Sequence, residues 1–215
     1  MRGPSLSRVG LILLAAGGSR RLGTPKQLLR GSAGQSLVRR AAQTALESAC
    51  RPVVCVLGAS PELVHTELDD LPLSIVINPD WQTGLASSLK VGLAALTADS
   101  QIAGGPIEAV MVMLCDQPKV TRALLDSLVA AHADTGHQII ACKYGGTRGV
   151  PALFGQTLFG PLASLTGDGG ARRVIRGYAG PMTEIPFPEG LLDIDTAQDA
   201  EAMKRGFSSQ AGAST

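Results

Sequence analysis

The chain has 215 residues, of which 45% are hydrophobic and 17% are charged, and its formal net charge is +1. This length allows one domain with a buried core, and the near-neutral charge gives no reason to expect nucleic acid or a membrane surface as a partner. Aromatic residues make up only 3% of the chain, which leaves few rings on which bases could stack. Small-molecule substrates are therefore the expected partners.

The cysteines indicate the cellular compartment of the protein, and the composition of the chain ends indicates where its domain begins and ends. Four cysteines occur without a CxxC pair or a zinc-type spacing, and they are Cys50, Cys55, Cys115 and Cys142. We expect free thiols and a cytoplasmic location, because disulfides are rare in reducing compartments. Residues 1–8 and 207–215 are mostly small or polar and are predicted to be disordered. A single domain is predicted over residues 9–206.

An apolar run at 9–16 is typical of a buried strand, and it leads directly into a glycine-rich turn that carries cations. Glycines let backbone N–H groups approach a ligand, and fixed cations beside them suit a polyphosphate. Ser19 stands where the dinucleotide fingerprint needs a second glycine, and no Gly-Lys-Ser/Thr ends the turn as in a P-loop. The segment predicts a nucleoside-triphosphate loop of another kind; the alternative is an ordinary turn with surface arginines. Its candidate binding residues are Leu14, Ala15, Ala16, Gly17, Gly18, Ser19, Arg20 and Lys26.

Strands and helices alternate along the rest of the chain. Apolar runs predict strands at 52–57, 73–77 and 109–114, and caps at Ser36, Ser60 and Thr121 precede helical patterns. A further helix is predicted at 84–96, and Thr196 opens the last one. The segments 138–142 and 150–154 flank Gly145-Gly146 and predict a hairpin. This order predicts a three-layer α/β/α Rossmann-like sandwich with a mostly parallel, mixed sheet.

Two acidic segments are candidate metal ligands. Asp116 follows the strand at 109–114, and ligands of open α/β sheets lie outside the carboxyl ends of strands. Asp193 and Asp195 come late in the chain and lie on one side of an extended segment. Carboxylates near a triphosphate need a cation between them, and Mg²⁺ binds one or two carboxylates together with phosphate oxygens. The alternatives are a turn aspartate before Pro118 and helix-capping roles for the later pair.

Six motifs occur together over residues 9–205, and their order in the chain carries a resemblance. They are residues 14–29 (LAAGGSRRLGTPKQLL), 78–89 (NPDWQTGLASSL), 116–118 (DQP), 148–151 (RGVP), 167–172 (GDGGAR) and 193–196 (DIDT). The series resembles the MobA-like NTP transferases, and within them the molybdenum cofactor cytidylyltransferase branch. That resemblance implies a fold of the nucleotide-diphospho-sugar transferase type.

The resemblance also implies an activity and its residues. The activity is transfer of CMP from CTP to the molybdenum–molybdopterin cofactor with release of pyrophosphate and with Mg²⁺ as cofactor. Arg20 and Lys26 would hold the triphosphate, Asp116 would bind Mg²⁺, and Asp195 would complete the metal site. The implied acceptor-side residues are Gly84, Ser87, Ser88, Arg148 and Pro151. A transient contact with a molybdoenzyme or its chaperone is expected on the same ground.

Departures from the family pattern keep other acceptors and nucleotides open. Val150 stands where this branch often has histidine, and Cys115 replaces a common glycine. The guanylyl-transferring branch carries Ala-Gly-Gly where this chain has Ala15-Ala16-Gly17, so Ala16 is expected to favour CTP over GTP. The alternatives are nucleotidyl transfer from GTP or another NTP to an acceptor such as a sugar phosphate, and a non-catalytic cofactor-binding chaperone.

Several polar residues have a structural alternative to a catalytic role. An acceptor phosphate is ionised at neutral pH and needs no general base, so His65, His132 and His137 are expected in surface or capping roles. Ser87 and Ser88 would donate hydrogen bonds to the acceptor, or else cap a helix. Residues 167–170 would form a second anion nest or a loop capped by Asp168. Arg172 and Arg173 are expected to be solvated or ion-paired, although the family resemblance favours a catalytic role for Arg172.

Overall fold

A computed structural model of the chain describes residues 8–19, 24–99 and 105–192. Seven strands in these residues form one mixed sheet in the order β3-β2-β1-β4-β6-β5-β7. They are β1 (Val9–Ala15), β2 (Val53–Leu57), β3 (Ser74–Ile77), β4 (Ala109–Leu114), β5 (Ile139–Tyr144), β6 (Thr147–Gly155) and β7 (Met182–Pro186). Strand β6 runs antiparallel to β4 and β5, and every other neighbouring pair is parallel.

Helices cover both faces of this sheet. The α-helices are α1 (Leu37–Glu47), α2 (Pro61–His65), α3 (Leu85–Asp99), α4 (Arg122–Thr135), α5 (Phe159–Ala163) and α6 (Gly170–Gly177). Short 3₁₀ helices lie at Lys26–Leu28, Trp81–Thr83, Gln156–Leu158, Gly167–Gly169 and Pro188–Leu191. Helices α1, α2 and α4 pack in one apolar cluster, and α3, α5 and α6 pack in the other. The predicted three-layer sandwich is confirmed.

Burial on both faces explains the composition of the central strands. All seven residues of β1 are buried, and β4 is buried from Ala109 to Met113. Alternate residues of β1 enter opposite clusters: Leu11 and Leu13 contact the α1–α4 side, whereas Ile12 and Leu14 contact the α3 side. A strand covered on both faces needs apolar side chains at every position, which is the pattern that the sequence shows.

The three predicted helix starts are confirmed, and two of the three cap residues make a side-chain hydrogen bond. Ser36 Oγ accepts a hydrogen bond from the backbone N–H of Arg39 at 3.3 Å, and Thr121 Oγ1 accepts one from Leu124 at 3.2 Å. These are the side-chain bonds expected of N-caps. Ser60 precedes α2 but makes no such bond, because its backbone is left-handed with φ +50°.

The predicted hairpin is present, and it places part of the site. Strands β5 and β6 pair antiparallel on either side of Gly145-Gly146, whose φ values are +55° and +71°. Two consecutive positive φ angles are favourable for glycine and match the twist of a hairpin. Because β6 returns antiparallel, its first residues lie at the edge of the sheet where β1 and β4 end.

The four cysteines are buried thiols without disulfides. Burial raises the pKa of Cys50 to about 11 and the pKa of both Cys55 and Cys142 to about 12, and it also raises the pKa of Cys115.

We therefore expect the native protein at pH 8 to react with a thiol reagent far more slowly than the unfolded protein, since only the thiolate reacts. Ellman's reagent with and without denaturant measures this, and rapid native labelling of any thiol would contradict it.

Other sequence predictions fall outside the described residues or concern the membrane. Residues 1–7 and 193–215, including the predicted last helix and most of both predicted disordered ends, lie outside the description. Within the described ranges, no helix has the length and apolar character needed to cross a membrane.

Candidate active site

The carboxyl edge of the sheet brings together segments that are far apart in the sequence. The glycine loop, as we call residues 16–26, follows β1, and Asp116 follows β4. The start of β6, after the hairpin turn, lies at the same edge. Parallel strands β1 and β4 pair in register from Val9 with Ala109 to Leu14 with Leu114, so their ends coincide. Asp116 is therefore held beside the glycine loop, as the sequence predicts.

Two hydrogen-bonding residues fix the shape of the glycine loop. The Gln27 side chain is fully buried, and its Nε2 donates to the carbonyl oxygens of Ala15 at 2.8 Å and Gly17 at 2.7 Å. The backbone N–H of Lys26 donates to Ser19 Oγ at 2.6 Å, while Ser19 has a left-handed φ of +47°. Buried hydrogen bonds of this kind hold a loop in one conformation. The sequence pattern predicts no role for Gln27.

An ion pair joins the glycine loop to the end of β4. The Lys26 ammonium donates to Oδ2 of Asp116, and the two side chains are 18% and 13% exposed. The second carboxylate oxygen of Asp116, Oδ1, is buried and has no hydrogen-bond partner among the described residues. A buried oxygen without a donor is costly unless it has another ligand, and a hard divalent cation is one that a carboxylate oxygen suits.

The metal-binding prediction stays a prediction for both of its residues. Asp116 supplies an open carboxylate oxygen, while Asp195, its predicted companion, lies outside the described residues together with Asp193, Arg20 and Arg21. Within the described part of the chain, no three His, Cys, Asp or Glu side chains cluster as a metal site. A cation here would need ligands in addition to Asp116, and the oxygens of a bound triphosphate are suitable for Mg²⁺.

A cleft of about 330 Å³ opens next to the glycine loop. Trp81 forms one wall. A Cβ added to Gly18 would lie 2.5 Å from the Trp81 indole ring, and a Cβ added to Gly58 would lie 2.6 Å from the Trp81 Cβ. Both glycines thus make room for the tryptophan. The cleft is lined by Ala16, Gly17, Gly18, Trp81, Gln82, Gly84, Leu85, Ser88 and Asp168.

The two predicted serines differ in their surroundings. Asn78 Nδ2 donates to Ser87 Oγ at 2.8 Å and to Ser88 Oγ at 3.0 Å. Ser87 Oγ in turn donates to the carbonyl of Gly84 at 2.8 Å, so it stabilises the first turn of α3. Ser88 lines the cleft, and no acceptor for its hydroxyl hydrogen lies within bonding distance among the described residues. Of the two, Ser88 is the one that lines the cleft.

Six of the eleven predicted substrate-binding residues do not line this cleft, and they are Leu14, Ala15, Ser19, Ser87, Arg148 and Pro151. The Leu14 side chain is 4% exposed and packs in the core beneath α3. Arg148 lines a separate cavity of about 260 Å³, where its Nε donates to Glu184 Oε1 of β7. Opposite charge draws this guanidinium toward Glu184, which also pairs with Lys143. Pro151 is buried in β6 after a cis peptide bond.

The histidines take no part in the cleft. His132 Nδ1 is hydrogen-bonded to the backbone carbonyl of His137 at 2.9 Å, and His137 Nδ1 contacts Thr183 Oγ1 at 2.9 Å. His65 pairs with Asp69 on the surface of the α2 region. These positions agree with the structural roles expected from the sequence.

A comparison with protein families gives one match that spans most of the chain. The description of the matching family is the MobA-like NTP transferase domain, and the matched residues are 11–182. This range includes the glycine loop, Lys26, Asp116 and the cleft. The pattern of motifs and the geometry of the site thus agree with the comparison.

Individual relatives add detail about similarity. Nicotine blue oxidoreductase from Paenarthrobacter nicotinovorans is 34% identical over 207 residues, covering 91% of this chain and 93% of the relative. Purine catabolism protein PucB from Bacillus subtilis (strain 168) is 30% identical over 218 residues, covering 97% and 100%.

A solved structure resembles the chain along almost its full length. Rv0371c from Mycobacterium tuberculosis H37Rv superposes with a TM-score of 0.79 at 29% identity, covering 94% of this chain and 100% of that one. The same protein has been solved in complex with manganese, with a TM-score of 0.74 at 26% identity, covering 93% and 99%. A related fold therefore binds a divalent metal.

Proposed function

Because the chain belongs to the MobA-like NTP transferase family, we propose that it transfers CMP from CTP to the phosphate of the molybdenum–molybdopterin cofactor. An acceptor phosphate oxygen attacks the α-phosphorus, and the bond from that phosphorus to the bridging oxygen of the β-phosphate breaks. Pyrophosphate leaves with the bond electrons. We propose Mg²⁺ as the cofactor and the cytoplasm as the location.

The observation that carries this proposal is the buried pair of Lys26 and Asp116 beside the glycine loop. A metal–triphosphate complex carries negative charge on its phosphates and positive charge on its metal. The Lys26 ammonium suits the phosphates, and the Asp116 carboxylate, with its unpartnered Oδ1, suits the metal. When bound, Mg²⁺ would neutralise phosphate charge and stabilise the departing pyrophosphate.

The described residues contribute binding and orientation. Gln27 fixes the carbonyls of Ala15 and Gly17, so the loop residues that line the cleft are held in one conformation in which their amides would bind phosphate. Lys26 would bind a phosphate oxygen, and Ser88 would donate a hydrogen bond within the cleft. The nucleophile is already ionised, so positioning and charge neutralisation supply catalysis without a general base.

A direct assay tests the proposal. Purified protein is incubated with Mg²⁺ or Mn²⁺, each of the four NTPs in turn, and either molybdenum–molybdopterin or a sugar phosphate, and pyrophosphate release is measured. We expect release only with CTP and the pterin cofactor. Release with a sugar phosphate or with GTP would assign another substrate. Tight cofactor binding without release would favour the chaperone alternative.

The name of one relative motivates a second assay. Nicotine blue oxidoreductase is named for a redox reaction, and it is 34% identical to this chain. Incubation with NADH or NADPH and a quinonoid dye, followed at 340 nm, tests that activity. Our proposal predicts no nicotinamide oxidation above the rate without protein. Oxidation of NADH or NADPH by the protein, together with no pyrophosphate release in the first assay, would mean that the protein is an oxidoreductase and not a nucleotidyltransferase.

Ala16 is expected to contribute to the choice of CTP. It lies at the end of β1, is 6% exposed and lines the cleft. Its methyl group narrows the pocket, which favours a pyrimidine over a purine. One methyl group discriminates by about 1–3 kcal/mol, so Ala16→Gly should relax the preference for CTP over GTP without reversing it. Competition between CTP and GTP measures the ratio, and an unchanged ratio would remove this role from Ala16.

A further inference from the structure

A half-buried arginine near the hairpin carries a charge that no carboxylate in the described ranges neutralises. Arg172 lies in the first turns of α6, and its described contacts are with one tyrosine and one glycine. The sequence predicts a solvated or ion-paired arginine here, while the family resemblance favours a catalytic role. A guanidinium held in place without a carboxylate retains its charge for an anionic ligand.

Tyr144, at the end of β5, fixes the position of this guanidinium. Its hydroxyl accepts a hydrogen bond from Arg172 Nη2 at 2.9 Å and donates one to the Val150 carbonyl at 2.9 Å. The Arg172 carbon Cζ lies 5.7 Å from the centroid of the tyrosine ring, within cation–π range. Tyr144 is itself 3% exposed and packs edge-on against Phe187. The tyrosine is therefore rigid, and the arginine is oriented by it.

Gly149 provides the space for this arrangement. A Cβ at this position would lie 2.3 Å from the Tyr144 hydroxyl oxygen and 3.0 Å from Arg172 Nε. Any larger residue would displace one of the two groups. The hydrogen bond to Tyr144 uses one of the two N–H groups of Nη2, so the second N–H of Nη2 and an N–H of Nη1 can form the two-pronged contact that matches a phosphate.

Arg172 belongs to a segment of the chain that borders both the cleft and the second cavity. Asp168, four residues before Arg172, lines the cleft, whereas Ile175 and Arg176 of the next turn line the cavity that holds Arg148. Strands β4 and β6 pair antiparallel as far as Val112 with Ala152. The residues of β6 before Ala152 therefore lie at the same end of the sheet as Asp116, which follows β4. Arg172 contacts Gly149 on this part of β6.

We propose that Arg172 binds the phosphomonoester group of the acceptor and that Tyr144 is a positioning residue for it. The inference rests on the proposed function in one respect, namely that the acceptor carries a phosphate. Arginine would hold the non-attacking phosphate oxygens, leaving one oxygen directed at the α-phosphorus. The triphosphate itself is assigned to Lys26 and the glycine loop, so the two phosphate groups have separate cations.

Kinetics of Tyr144→Phe test the positioning role. The variant keeps the ring but removes the hydroxyl, so the KM for the acceptor should rise about 10- to 100-fold, the range for loss of a charge-assisted contact. The KM for CTP and the melting temperature should change little. Tyr178→Phe, at the other tyrosine in the chain, is the matched control. Equal increases in both KM values, or a loss of stability with unchanged KM values, would make the role structural and overturn the proposal.

A labelling experiment separates this inference from the proposed function. Phenylglyoxal modifies arginines, and peptide mass spectrometry reports each site, with the exposed Arg173 as an internal control. Glycerol 2-phosphate, a simple phosphomonoester, should slow labelling of Arg172 about tenfold or more but not that of Arg173. This holds even if no transfer is detected. Unchanged labelling, or equal protection by CTP with Mg²⁺ alone, would overturn the proposal.

Discussion

Asp116→Asn should lower the rate of nucleotidyl transfer by about 100-fold or more, which is the scale on which loss of one pre-organised electrostatic group acts. The asparagine keeps the shape of the side chain but cannot provide the anionic oxygen that a divalent cation prefers. The residue is 9% exposed, and its Oδ1 has no hydrogen-bond partner in the described chain. Pyrophosphate release at saturating Mg²⁺ and CTP measures the effect.

A matched aspartate separates this effect from loss of an ion pair. Asp70 also pairs with a cation, Arg39, at 2.7 Å, but its side chain is 65% exposed and does not line the cleft. Asp70→Asn should change turnover less than about twofold, because surface ion pairs contribute little. Circular dichroism should show that both variants are folded. Near-normal turnover of Asp116→Asn at saturating Mg²⁺ would show that the metal assignment is incorrect.

The main features of the fold follow from patterns that the sequence displays. The uninterrupted apolar runs of β1 and β4 require cover on both faces, and the three-layer sandwich supplies it. The place of Asp116 follows from the general rule that sites lie at the carboxyl ends of parallel strands. The Gly145-Gly146 turn predicts the hairpin, which introduces the antiparallel strand β6. These inferences need only local sequence.

Side-chain partners at the site could not be predicted in the same way. Gln27 donates to two backbone carbonyls, and carbonyl positions have no sequence signature. Tyr144 and Arg172 are separated by 27 intervening residues and meet because α6 packs against β6, the hairpin partner of β5. Burial of a polar side chain depends on contacts that form only after the sheet has assembled. The sequence therefore predicts a site but not the groups that orient it.

The location of Arg148 illustrates the same limit. Its place beside Gly149 and Val150 favours a role near the cleft, and its Cα does lie at the carboxyl edge. The side chain is directed by Glu184, 36 residues later on β7, into a separate cavity. An ion pair between distant strands cannot be read from spacing, so the predicted acceptor contact of Arg148 stays a prediction.

Lys26→Met should weaken CTP binding and slow the chemical step together. The methionine keeps an unbranched apolar side chain but removes the charge that would contact a phosphate oxygen. Loss of one charge-assisted contact costs about 1.5–3 kcal/mol, which corresponds to a fall in kcat/KM for CTP of about 10- to 100-fold. Arg20→Ala, at the other predicted phosphate contact, should behave similarly. Steady-state kinetics with varied CTP at fixed acceptor and Mg²⁺ measure both.

Binding of Mn²⁺ without nucleotide makes this prediction specific to the proposed geometry. Lys26 neutralises Asp116, so removing its charge should leave Mn²⁺ affinity unchanged or increased, as measured by electron paramagnetic resonance, even though CTP binds less well. Arg40→Met, at an exposed cation on α1, should alter neither quantity. Equal losses of CTP affinity in Lys26→Met and Arg40→Met would indicate that CTP is attracted by a diffuse basic surface and not by a specific contact of Lys26 with phosphate. A parallel loss of Mn²⁺ affinity in Lys26→Met would mean that the lysine organises the carboxylate and does not compete with the metal.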